Sequence, residues 1–167
     1  DRARVAEMNQ LIINVVCYFD GGTYHNDGPY RLLLEDGVLK SIHSGPAALS
    51  EQPVEYSQAD SLDAEFLMPG LVEAHCHLFL NGDEEDLQAR SDYLKAPLEI
   101  MLQTARLNVE ACLASGITLI RDAGDRYGVN HAIREECSAH ACGTVIRSPG
   151  FALRQQKKYG AFMAKEV

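Results

Sequence analysis

Leu71-Val72-Glu73-Ala74-His75-Cys76-His77, set directly behind Met68-Pro69-Gly70, is the stretch on which the fold turns. The Pro-Gly pair marks a turn, and the apolar run after it predicts a short strand. Side chains alternate between the two faces of a strand, so the spacing places His75 and His77 on one side and Cys76 on the other. Two imidazoles side by side at a strand end can clamp one divalent metal ion. By the same count Glu73 shares their side.

The sequence that follows supplies the partners of this strand. Asn81–Ala96 is polar and acidic and predicts a long loop, in which Asp83, Glu84, Glu85 and Asp86 form a solvated charge run without calcium-loop spacing. Pro97 stands where a helix begins. Leu98, Met101, Leu102, Ala105, Val109, Cys112 and Leu113 then recur at helical spacing up to Gly116. Ile117–Ile120 predicts a β-branched strand running into Arg121-Asp122-Ala123-Gly124. A second helix is expected over Val129–Ala141 and a third strand over Thr144–Arg147. Strand, helix, strand, helix, strand implies a parallel sheet with right-handed crossovers. Past Ser148 the pattern weakens, with a return toward helix expected at Tyr159–Glu166.

Ahead of the Pro-Gly turn the chain reads as β. Leu11–Phe19 is rich in Ile and Val, and Arg31–Glu35 and Val38–His43 flank Asp36-Gly37, a strong hairpin signal. Gln52–Ser57 and Ala64–Met68 are further short strands by the same reading. Residues 1–67 are therefore expected to form a small sheet or a small β-sandwich segment, and residues 68–167 an α/β unit.

Composition narrows the partners. The chain has 167 residues, 46% hydrophobic, with a formal charge of −9 and no basic run beyond Lys157-Lys158. That argues against nucleic acid and against anionic membrane as a main partner, and suits a soluble protein. Apolar stretches are too short to span a bilayer. Five cysteines, at 17, 76, 112, 137 and 142, are odd in number and lack metal-finger spacing, which fits buried thiols in a reducing, cytoplasmic setting. Residues 1–7 precede Met8 and read as an extension of unassigned role.

Met68-Pro-Gly-Leu-Val-Glu-Ala-His75-Cys-His77 resembles the opening motif of the metal-dependent amidohydrolase superfamily. Ala114-Ser-Gly-Ile-Thr-Leu-Ile-Arg-Asp-Ala-Gly124 resembles the second-strand segment of its imidazolonepropionase, dihydroorotase and prolidase-like branches. The resemblance implies a TIM-type (β/α)8 barrel, of which this chain holds the first three βα units. It implies a divalent metal, zinc first, as one or two ions, with His75 and His77 as ligands. It places the remaining ligands on later strands: a carboxylated lysine or glutamate, two histidines and an aspartate. The general base is then expected beyond Val167. None of Lys157, Lys158 and Lys165 takes the lysine role, and His25, His43, His131 and His140 match no later ligand position.

Asp122 has several readings. It can orient an imidazole from behind, contact substrate, cap the following loop or helix, or pair with Arg121. The implied reaction is hydrolysis of an amide or other C–N bond by metal-activated water, with amide, lactam, dipeptide and deaminase substrates all open. The alternatives are a non-catalytic fragment or subunit needing a complementary chain, and a simple metal-binding module. Homo-oligomerisation is left open.

Overall fold

A computed structural model describes residues 9–50, 53–140, 142–158, 160 and 163–166. The chain divides into two compact units, Asp1–Pro69 and Gly70–Val167.

The first unit is built around strand β1 (Gln10–Phe19). One of its edges pairs in parallel with β5 (Asp60–Leu67), from Leu11 opposite Asp60 to Tyr18 opposite Leu67. Its other edge pairs antiparallel with β3 (Tyr30–Glu35) and, near its end, with the two-residue β2 (Tyr24–His25). Strand β4 (Val38–Ser44) folds back on β3 around Asp36 and Gly37, both at positive φ (50° and 75°), the conformation that a tight two-residue hairpin demands. Alternation along the strands then sorts the apolar side chains. Ile12 and Leu33, direct partners, pack with Tyr56 in one cluster, while Val15, Tyr30 and Leu32 form a second.

Two expectations are corrected here. The described residues of this unit form one five-stranded mixed sheet, not a two-layer sandwich. A one-turn helix α1 (Pro46–Ser50) follows β4, and where a strand was expected over Gln52–Ser57 the described residues make a 3₁₀ turn at Val54–Tyr56. Gln52 itself lies outside the described residues. Pro53, at φ −58°, lacks an N–H for a ladder and suits the start of a turn. The turn closes with the Tyr56 amide on the Pro53 carbonyl and delivers the Tyr56 ring to Ile12 and Leu33.

The second unit follows the expected order. Strands β6 (Leu71–Cys76), β7 (Ile117–Asp122) and β8 (Val145–Arg147) form a parallel sheet with β7 in the middle. Helix α3 (Leu98–Ala114) links the first two, and α4 (Val129–His140) the last two. Pro97 holds the N-terminal cap of α3, and Gly116 at φ +81° lets the chain leave it. Met101, Ala105 and Val109 of α3 and Val129, Ile133 and Cys137 of α4 are buried together with Ile120 and Ile146 from the sheet and Leu78 and Phe79 from the loop after β6.

The acidic segment holds an element that periodicity does not show. Helix α2 (Leu87–Tyr93) starts where the Asp86 carboxylate accepts the Ala89 amide at 2.7 Å. No residue of α2 is buried, so it has no apolar stripe to read. Near the end of the chain, β9 (Ala152–Arg154) pairs in parallel with β10 (Ala164–Glu166). This corrects the helix expected at Tyr159–Glu166, part of which lies outside the described residues. Among the described residues no helix is long and apolar enough to cross a membrane.

Candidate metal-binding site at the strand ends

Strand β6 does not keep strict alternation. Glu73 is the register partner of Ile120 and Cys76 that of Asp122, so three steps on β6 oppose two on β7. Cys76, His77, Asn108, Ala111 and Cys112 line one cleft together with Glu73. The Glu73 carboxylate accepts the backbone N–H of His75 at 2.8 Å. Cys76 packs against the helix-side core, and burial, with Asp122 nearby, pushes its thiol up to about 12.

His75 is the penultimate residue of β6 and His77 the first beyond it. Their ring centroids lie 5.7 Å apart with the planes at 83°. The Nδ1 of His77 is 2.7 Å from the Gly124 carbonyl oxygen. A carbonyl only accepts, so Nδ1 carries a proton, and in the neutral ring Nε2 is the nitrogen with the lone pair. That tautomer is the one a metal ligand needs. The ring separation suits two imidazoles reaching one tetrahedral ion. Among the described residues, however, no group of three or more His, Cys, Asp or Glu side chains is placed to hold a metal. The two histidines therefore fit part of a site, because catalytic zinc takes three protein ligands.

Asp122 ends β7 and is 1% exposed. Its carboxylate accepts the Leu78 amide at 2.8 Å and the Gly124 amide at 2.7 Å. Burial raises its pKa, while those two N–H donors and His77 act in the opposite direction. Asp122 therefore braces the loop that follows each strand, and it reaches His77 through Gly124. It does not pair with Arg121, which donates to the Ala74 carbonyl. Gly124 sits at φ +99°, where an added Cβ would lie 2.7 Å from the Ala152 amide nitrogen, so no other residue fits.

The helix cap assigned in part to Asp122 belongs to Asp125, a residue that the sequence reading passed over. Asp125 is fully buried and accepts the backbone amides of Tyr127 (2.6 Å), Gly128 (2.6 Å) and Asn130 (2.8 Å), together with the Asn130 side chain. Asn130 Nδ2 also donates to the Gly150 carbonyl at 2.8 Å, and the Asp125 amide donates to the same oxygen at 3.1 Å. The Ser148 hydroxyl donates to Asn130 Oδ1. Together these bonds tie the loop after β8 to the loop after β7. An aspartate a few residues ahead of an apolar helical stripe is the local signal that identifies such a cap.

The other histidines have separate settings. His131 and His140 are exposed on α4. His25 stacks on Tyr18 and bonds Asp20, and His43 bonds Ser41.

No family model matches the sequence, and no curated protein matches it either. Solved structures do. A Xaa-Pro dipeptidase with methionine bound in its active site aligns at TM-score 0.67 and 16% identity, covering 92% of this chain and 39% of that one. An amidohydrolase aligns at TM-score 0.64 and 21% identity, covering 91% and 36%. A guanine deaminase from C. acetobutylicum with bound guanine aligns at TM-score 0.60 and 12% identity, covering 95% and 39%. At these identities it is the fold that is shared: this chain matches, over nearly its whole length, little more than a third of each of these larger amidohydrolase-type proteins.

Proposed function

We propose that this chain is the part of a metal-dependent amidohydrolase that contributes the first two metal ligands. In this reading β6, β7 and β8, with α3 and α4 between them, are the first three strands of a (β/α)8 barrel, and His75 and His77 stand at the carboxyl end of its first strand. Active sites of such barrels gather at that end. The observation that carries the reading is the His77 Nδ1 bond to Gly124, which fixes the tautomer and frees Nε2 beside His75.

Zinc, as one or two ions, would supply Lewis acidity that makes water nucleophilic near neutral pH and polarises a carbonyl. The residues of this chain would bind and orient: His75 and His77 as ligands, Gly124 as the acceptor that aims His77, and Asp122 as the brace that holds Gly124. The described residues offer no third ligand, so further ligands and the general base come from elsewhere in the complete enzyme. The substrate would be a small molecule cleaved at an amide or other C–N bond, in a cytoplasmic setting.

A second reading has its own support. Among the described residues β6 and β8 are both edge strands, and Val72 (57% exposed) and Val145 (51%) stand uncovered on them. Such edges call for further strands, which a separate complementary chain or a second copy can supply as well as the same chain.

The test is metal content. In the full-length protein, His75→Ala together with His77→Ala should remove at least one metal ion per chain, with C–N bond hydrolysis lost in parallel. Unchanged metal content in a folded double variant would sink the ligand assignment.

A further inference from the structure

We propose that Cys137 and Cys142 are an oxidisable dithiol that closes to an intrachain disulfide at the C-terminal end of α4. All five cysteines are free thiols in the structure. The amide of Cys142 donates to the carbonyl of Cys137 at 3.3 Å. That bond, reaching five residues back, closes a helix end and brings the first and last side chains of the turn together. Both side chains line one cleft between α3 and α4, with Val109, Ile133, Glu136 and His140. Gly143, at φ +82°, turns the chain away immediately afterwards. One backbone bond and one cleft thus bring the two cysteines near each other, the proximity that a disulfide requires.

The two sulfurs are not equivalent. Cys137 is 8% exposed, and burial pushes its thiol up to about 12, with Cys142 adding to the rise. Cys142 is half-buried and its thiol also faces the Thr144 carbonyl. With a low-molecular-weight disulfide such as oxidised glutathione as the oxidant, Cys142 gives up its proton and attacks one glutathione sulfur. The glutathione S–S bond breaks and the first glutathione leaves as a thiolate, which takes up that proton. Cys137 then attacks the Cys142 sulfur of the mixed disulfide, loses its own proton, and expels the second glutathione as a thiol. One disulfide is reduced and one is formed. Closure is the slower step, since it needs the thiolate of the buried residue.

The experiment treats the native 167-residue chain with oxidised glutathione, then alkylates free thiols and digests with trypsin. Both cysteines fall in one peptide, Glu135–Arg147, because no Lys or Arg lies between Arg134 and Arg147. The expected result is loss of two of the five thiols, with this peptide lighter by two hydrogens and resistant to alkylation until reduced. Cys142→Ser should leave Cys137 alkylatable, and Cys137→Ser should trap a glutathione adduct on Cys142. The proposal is overturned if the wild-type peptide takes two alkyl groups after treatment. A persistent wild-type adduct on Cys142, or cross-linking of either cysteine to another thiol, overturns it equally.

Discussion

The sheet of the first unit and the parallel unit that follows it place their polar groups in opposite ways. In the first unit, Arg31 (7% exposed) is the one buried charged side chain among the described residues, and it reaches the side-chain oxygen of Asn14. Other polar pairs there lie at the surface: Asp20 with His25, Glu35 with Lys40, Asn14 with Asp63. In the second unit Asp122, Asp125 and Asn130 are all buried at the end of β7 or just beyond it. Burying a carboxylate costs several kcal/mol unless it is fully hydrogen-bonded. Both aspartates meet that condition by accepting backbone N–H groups, so both hold loops in place. The first unit rests on apolar clusters, whereas the strand ends of the second are organised by buried acceptors. Those strand ends are where the candidate ligands stand.

The largest expected effect tests that contrast directly. Asp125→Ala strips the start of α4 of its acceptor and leaves the Tyr127, Gly128 and Asn130 amides unpaired. A lost cap together with buried orphan donors should cost roughly 3 kcal/mol or more. Asp63→Ala, which removes an exposed partner of Asn14 in the first unit, should stay within about 0.5 kcal/mol. Urea midpoints at constant m-value would read both. Equal losses at the two positions would erase the distinction between the units.

A smaller effect is expected at Asp122. Its replacement by Ala leaves the Leu78 and Gly124 amides without their acceptor and should cost about 2 kcal/mol. The more informative readout is His77. With Gly124 no longer braced, the Nδ1-protonated tautomer should give way to a mixture, visible in the ring ¹⁵N shifts. Asp122→Asn, which keeps one acceptor oxygen, should lie between wild type and Ala. A His77 tautomer unmoved in Asp122→Ala would show that Gly124 is held by its close packing against Ala152 and not by the carboxylate.

How much of this was legible in the sequence depends on how local the cause is. The Asp36-Gly37 hairpin, the α3 stripe from Leu98 to Leu113, the Gly116 stop and the βαβαβ order all follow from short-range rules, and all stand in the structure. The pairing of β5 with β1 was hidden: Leu62, Ala64 and Phe66 alternate with Ser61, Asp63 and Glu65, but nothing local names β1, more than forty residues earlier, as the partner. Helix α2 was hidden for a different reason, since none of its residues is buried and it carries no apolar stripe. The break in register between Glu73 and Cys76 arises from pairing with β7, a strand more than forty residues later, and no count along β6 alone can show it. The position of His75 and His77 at a strand end was legible; the carbonyl that fixes the His77 tautomer was not. Asp125 was within reach, as a helix-capping residue ahead of an apolar stripe, and was obscured by the more conspicuous Arg121-Asp122 pair.

The smallest effect belongs to the surface chemistry of the first unit. Asp20 accepts from His25 and from the amides of Gly22 and Thr23, and these bonds, His25 first, lower its carboxyl from 3.8 to about 2. The folded form therefore binds this proton less tightly than the unfolded chain. The resulting stabilisation is complete above the unfolded value, declines as pH falls below it, and is gone once pH has passed through about 2. Because the group is exposed, solvent screens it and the change in overall stability should be slight. Its titration is still measurable by carboxyl-carbon NMR. His25→Gln should move the Asp20 midpoint upward, though not all the way to 3.8, because the two backbone donors remain. A midpoint that stays near 2 in that variant would assign the depression to the Gly22 and Thr23 amides alone. The turn after β1 would then be organised by a carboxylate on backbone N–H groups, as the strand ends of the second unit are, and the contrast between the units would narrow to burial.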